Sequence, residues 1–217
     1  MAELTRGQRV PIPPPYDHPV DVGVSINTPA GIVTDVSCFG IDAGGQLSDD
    51  RYMVFYNQPS TPCSSLQMSR TGGLEQTRFD CTLATLPMTI IRLVFTVSID
   101  GNAGVSSFLP SYIRVGRDLR YPFSGADFTT ETSLILGELY RKDGAWRFNA
   151  VGQGEVRNAA SQGGVPTTLP FKRFGQFQGQ VKLDGAPLAN RNGALTMACR
   201  AQHQGAIDTQ GAVGNHQ

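Results

Sequence analysis

The chain has 217 residues, enough for one domain with a tail or at most two small domains, and long enough to hold a core without disulfides or a metal. Lys+Arg and Asp+Glu both number 18, so the formal net charge is zero. With the basic residues scattered, that balance argues against a nucleic-acid binder or a polybasic membrane contact.

In chain order, the first distinctive stretch holds Pro11, Pro13, Pro14 and Pro15, which should be extended and unable to pair as a central strand. Val20, Val22, Val24 and Ile26 then alternate with Asp21, Gly23 and Ser25, the pattern of a half-buried strand. Strands are also expected over 33–41, 52–57 and 76–85. From 90 to 99 the residues Ile91, Leu93, Phe95, Val97 and Ile99 make one apolar face, while Arg92, Thr96 and Ser98 line the other, broken by Val94. A short helical turn is expected near 103–109 and a strand over 112–118. Ser133–Tyr140 and Ala145–Val151 flank Arg141-Lys142-Asp143-Gly144, and the Asp-Gly pair supplies the left-handed backbone of a tight hairpin. A second helical turn is expected near 155–161. From about residue 180 the chain becomes rich in Gly, Ala, Asn and Gln, a composition that buries little surface.

These elements predict an all-β fold, a two-sheet β-sandwich with short helical turns and a Gly/Gln-rich C-terminal tail. The expected organisation is a sandwich domain over 1–179 and a low-complexity tail over 180–217. The four cysteines, Cys38, Cys63, Cys81 and Cys199, never form the close pairs that zinc and redox motifs require. Cys38 and Cys81 lie in apolar runs and read as core residues. The absence of a hydrophobic leader and of any apolar stretch of membrane-helix length makes the cytoplasm the expected location, with no membrane span.

Leu4 to Gln8, Asp35 to Phe39, Ser48 to Gln58, Phe128 to Thr132, Gly137 to Phe148 and Ala150 to Gly154, taken together in this order, resemble blocks of the TerD family of tellurite-resistance and stress-response proteins. Leu4-Thr5-Arg6-Gly7-Gln8 is similar to that family's opening, and Asp35-Val36-Ser37-Cys38-Phe39 to the strand in which it places an Asp-x-Asp-x-Ser pattern. Ser48 to Gln58 resembles its most recognisable block, and Phe128 to Thr132, Gly137 to Phe148 and Ala150 to Gly154 resemble its closing hairpin. The blocks follow family order from about residue 4 to 155. The resemblance implies a sandwich of two β-sheets, a role in tellurite and other stresses, calcium binding in characterised members, and no conventional enzymatic activity.

Calcium takes six to eight oxygen ligands, and tight sites supply several carboxylates. The resemblance places such ligands in the Asp-x-Asp-x-Ser strand and in the loop after Tyr56-Asn57-Gln58. Here Val33 stands at the first aspartate of the pattern, leaving Asp35, and residues 59–78 contain one carboxylate, Glu75, beside Arg70 and Arg78. Asp35, Asp50 and Asn57 are the remaining metal-ligand candidates, in a site read as degenerate. Their alternative role is a turn network bonded to nearby backbone. The expected cofactor is none, or weakly held calcium.

Catalytic constellations are sparse. His18, His203 and His216 lie in the proline-rich entry and the tail, poor places for a rigid base. Cys63, in a loop, reads as inert, with Arg70 the one nearby residue that could lower its pKa. Glu131 and Glu138, imagined as an acid/base pair, fall on opposite faces of one strand by parity, and Glu138 reads as a structural ion-pair partner or a backbone cap. With the role that the resemblance implies, the functional expectation is a non-enzymatic stress-response domain that binds a partner protein or small ligand through residues 59–79 and the tail. A calcium-responsive module is the alternative. Exposed edge strands leave self-association open.

Overall fold

In the computed structural model, residues 1–155 are described, together with two short paired strands at Lys182–Leu183 and Ala186–Pro187. Twelve strands build residues 1–155: β1 (Ala2–Glu3), β2 (Arg9–Pro11), β3 (Val20–Ser25), β4 (Thr34–Ile41), β5 (Met53–Val54), β6 (Leu66–Arg70), β7 (Thr77–Cys81), β8 (Arg92–Ile99), β9 (Ser111–Val115), β10 (Leu119–Phe123), β11 (Ser133–Lys142) and β12 (Ala145–Glu155). They form two six-stranded sheets, one in the order β1-β10-β9-β3-β7-β6 and the other in the order β2-β12-β11-β8-β4-β5.

The alternation read from the sequence decides which side of each strand faces the core. Val22 and Val24 point inward from β3, and Leu93, Phe95, Val97 and Ile99 from β8. Trp146, Phe148 and Ala150 do the same from β12. Phe79 of one sheet meets Phe95 of the other edge-on, with ring centroids 5.3 Å apart and both side chains fully buried; edge-on contact is favourable for aromatic quadrupoles. Cys38 and Cys81 are buried as expected. The proline-rich entry contributes only β2, three residues at a sheet edge beside β12, consistent with the donor that proline lacks.

The β11–β12 turn has Asp143 at φ 53° and Gly144 at φ 76°, the left-handed pair that a two-residue hairpin needs. The expected helical turn near 103–109 is a 3-10 turn at Val105–Ser107, and two more lie at Asp50–Tyr52 and Gly125–Asp127. Residues 156–161 and the 179/180 boundary fall outside the described residues. The expected strand over 52–57 is shorter: Tyr52 closes the 3-10 turn, and Phe55 and Gln58 close a turn by reciprocal backbone bonds of 3.1 and 3.0 Å.

Val94, which interrupts the polar side of its strand, has a structural reason. With Phe39, Ile41, Met53 and Ile135 it forms a second buried apolar cluster, on the side of its sheet facing away from the main core. The parity argument for Glu131 and Glu138 does not hold. Glu131 precedes β11, and the strand slips register between Ile135 and Gly137, so positions across that bulge no longer alternate simply. Glu138 does make a structural ion pair, with Arg92 at 3.1 Å, and it accepts a bond from Asn149 Nδ2 at 3.0 Å.

Candidate functional site

The sequence points to the region where β5 of one sheet meets β6 of the other and the start of β4 faces the end of β6 through one ion pair. Asp35 is the second residue of β4, facing away from the neighbouring core residue Val36, and its side chain is only 10% exposed. Arg70 ends β6 and reaches across, placing Nη2 3.6 Å from Asp35 Oδ1. Its guanidinium also lies over the Tyr56 ring, 5.1 Å from the centroid. The loop of residues 59–79 is thus largely a β-hairpin, β6 and β7 paired from Leu66↔Cys81 to Arg70↔Thr77. The ladder explains why Arg70 is placed firmly enough to face Asp35.

The other two ligand candidates lie on separate elements. Asp50 opens the 3-10 turn and is half-buried, and burial together with neighbouring Asp49 raises its carboxyl pKa. Its backbone carbonyl, rather than its carboxylate, accepts the Gln58 amide at 2.9 Å. Asn57 is exposed in the turn that follows β5. Among the described residues, no three His, Cys, Asp or Glu side chains gather where a metal ion could be held.

Beside this edge, Cys63 is exposed but well bonded. Its Sγ lies 2.8 Å from Ser65 Oγ and 3.7 Å from both Tyr52 Oη and Thr61 Oγ1. Burial pushes the thiol upward, but hydrogen bonding from Ser65, Tyr52 and Thr61 outweighs it and the net shift is downward. The hydroxyl-rich context Thr61-Pro62-Cys63-Ser64-Ser65 carried this signal; charge alone, the criterion applied to Arg70, missed it.

The far end of the same hairpin is held by a network that sequence reading did not anticipate. Arg114 of β9 points away from the core yet is only 9% exposed. It donates to Glu75 at 2.5 and 2.7 Å, to Asp21 at 2.8 Å and to the Gly116 carbonyl. Arg78 donates to Asp21 as well, at 2.6 and 3.2 Å. Burial raises the Asp21 carboxyl, but its bonds to Arg78 and Arg114 prevail and the net shift is downward. The Glu75 carboxylate lies where a Cβ on Gly23 would sit. Gly23 in an alternating strand was the one available signal, since an isolated strand glycine often marks a close approach. The consequence is a pinned hairpin tip. Thr71 N–H donates to the Gln76 carbonyl at 3.0 Å, Gln76 Oε1 accepts Ile26 N–H at 3.0 Å, and Leu74 between them is 84% exposed.

No helix among the described residues is long and apolar enough to cross a membrane. The TerD-domain family model matches residues 1–160. The chain is 32% identical over 142 residues to tellurium resistance protein TerD of Serratia marcescens, covering 58% of this chain and 73% of that one. General stress protein 16U of Bacillus subtilis (strain 168) is 30% identical over 135 residues, covering 55% of this chain and 69% of that protein. The fold also resembles the crystal structure of a homologue of telluride resistance protein (TerD) from Streptomyces coelicolor A3(2), with a TM-score of 0.52 at 20% identity, covering 65% of this chain and 92% of the other. The chain belongs to the TerD family.

Proposed function

From membership of the TerD family we propose that this chain is a non-enzymatic, cytoplasmic stress-response domain, associated with tellurium resistance, that acts by binding a protein partner and has a degenerate calcium site. The homologues named for tellurium resistance and general stress support the role at family level. The observation that carries the partner-binding reading is the β6–β7 tip. Singly exposed apolar residues are ordinary, but Leu74 is 84% exposed on a turn whose next residue, Glu75, has its carboxylate clamped by a nearly buried arginine. A turn whose backbone is ordered beforehand loses little backbone freedom on docking, which favours association. Among the described residues the longest edge strand of the two large sheets, β6 with five residues, leads into this tip, whereas β1, β2 and β5 have two or three. Edge length of this kind also leaves self-association as a form the partnership can take.

The test compares wild type with Leu74→Asp in cross-linking and affinity capture from stressed cells, and in restoring tellurite tolerance to cells lacking the gene. Leu74→Asp should melt like wild type but lose a specific captured protein and the tolerance. Equal capture and equal tolerance would sink this reading. The calcium alternative separates by titration: a degenerate site leaves the melting temperature unchanged by millimolar calcium.

A further inference from the structure

Asp35 is a nearly buried carboxylate at the start of β4, and such a group needs a compensating positive charge close by. The family implies calcium for that role, but the donor set does not fit it. Val33, two residues before Asp35 where the family pattern has an aspartate, is apolar and 44% exposed, and its carbonyl is bonded to Asp100 N–H at 3.0 Å. Asp50 directs a backbone carbonyl to Gln58 instead of assembling with Asp35. A divalent ion beside Asp35 would also face the Arg70 guanidinium, so one negative charge would confront three positive ones.

We infer that Arg70 is the resident cation of this site: its guanidinium, seated on the Tyr56 ring, holds the Asp35 carboxylate and makes the junction between β4 and β6 independent of calcium. The deduction rests on the degenerate-site reading proposed above and adds its regulatory consequence. One carboxylate requires one positive charge, and Arg70 supplies it from within the chain. The Tyr56 face steadies the guanidinium by a cation–π contact, and the β6–β7 ladder delivers it through the Arg70↔Thr77 pair. Because the cation belongs to the chain, its pairing with Asp35 does not depend on the calcium concentration. A domain built this way needs no calcium at this edge.

The experiment uses the full chain and follows thermal melting in EDTA and in millimolar calcium, with calorimetric calcium titration. Wild type should melt identically in both and show no saturable heat. Arg70→Ala should melt about 2–4 °C lower in EDTA, the scale of a weak, largely exposed pair in a domain of this size, and calcium should recover part of that loss. Arg70→Lys, which keeps the charge, should stay near wild type. Val33→Asp combined with Arg70→Ala should bind calcium saturably. If Arg70→Ala melts like wild type and ignores calcium, the tethered-cation inference fails while the degenerate-site reading survives. If wild type itself binds calcium and Asp35→Ala abolishes the response, both fail.

Discussion

Gly23→Ala tests whether the Glu75–Arg114 clamp orders the hairpin tip. Gly23 faces Arg78 on one side and Arg114 on the other, and the space left by its missing side chain is filled by the Glu75 carboxylate. An alanine Cβ would displace that carboxylate, and because Glu75 is a flexible side chain it would swing away instead of forcing the strands apart. Arg114 would lose two charge-assisted bonds, at 2.5 and 2.7 Å, while keeping Asp21 and the Gly116 carbonyl. Side-chain exposures of 11% and 18% for Arg114 and Glu75 place the pair out of bulk solvent, so the loss is worth about 2–3 kcal/mol. Removing a glycine from a strand returns about 0.5–1 kcal/mol. The net expectation is a destabilisation of roughly 1–2 kcal/mol, read by urea unfolding with unchanged m-value. The decisive control is the double-mutant cycle with Glu75→Ala: without the carboxylate, Gly23→Ala should be neutral or slightly stabilising. Equal losses in both backgrounds, or none in wild type, would refute the clamp.

Phe95→Ala should cost about 3–5 kcal/mol in thermal or urea unfolding, because the ring is fully buried against Phe79 at the contact between the sheets; a loss under about 1 kcal/mol would contradict that packing. Asp21 has a folded-state pKa below its ordinary 3.8. Its ion pairs therefore contribute fully above that value and are lost as pH falls through the lower, folded value, so the wild type should lose stability over Asp21→Asn in acid titration, and parallel curves would count against the pairing. Cys63 should be alkylated with a pH midpoint below the ordinary 9.0, and Ser65→Ala should raise that midpoint. Cys38 and Cys81, buried and shifted upward by that burial, should stay unlabelled in the same peptide-mass assay until the domain unfolds.

The sequence alone determined the architecture and the family, because both rest on local regularities. Period-two alternation in residues 20–26 and 90–99 follows from side chains leaving a strand on alternate faces, and Asp143-Gly144 encodes its turn through backbone sterics. The ordered blocks from Leu4 to Gly154 are written in the chain itself. It also shows that Val33 stands two residues before Asp35 and that residues 59–78 hold one carboxylate, Glu75, with Arg70 and Arg78. Tertiary structure decided what those residues do to one another. Arg70 and Asp35 are 35 residues apart in the chain and belong to different sheets, so no local pattern could pair them across 3.6 Å. Glu75, Arg114 and Asp21 converge because β9 and β7 flank β3, a neighbour relation set by sheet order. Val94 breaks the alternation because the other side of its sheet carries an apolar cluster of its own. Strand character is dictated by neighbours in sequence, whereas charge pairing and the use of a sheet's second face depend on which strands lie side by side.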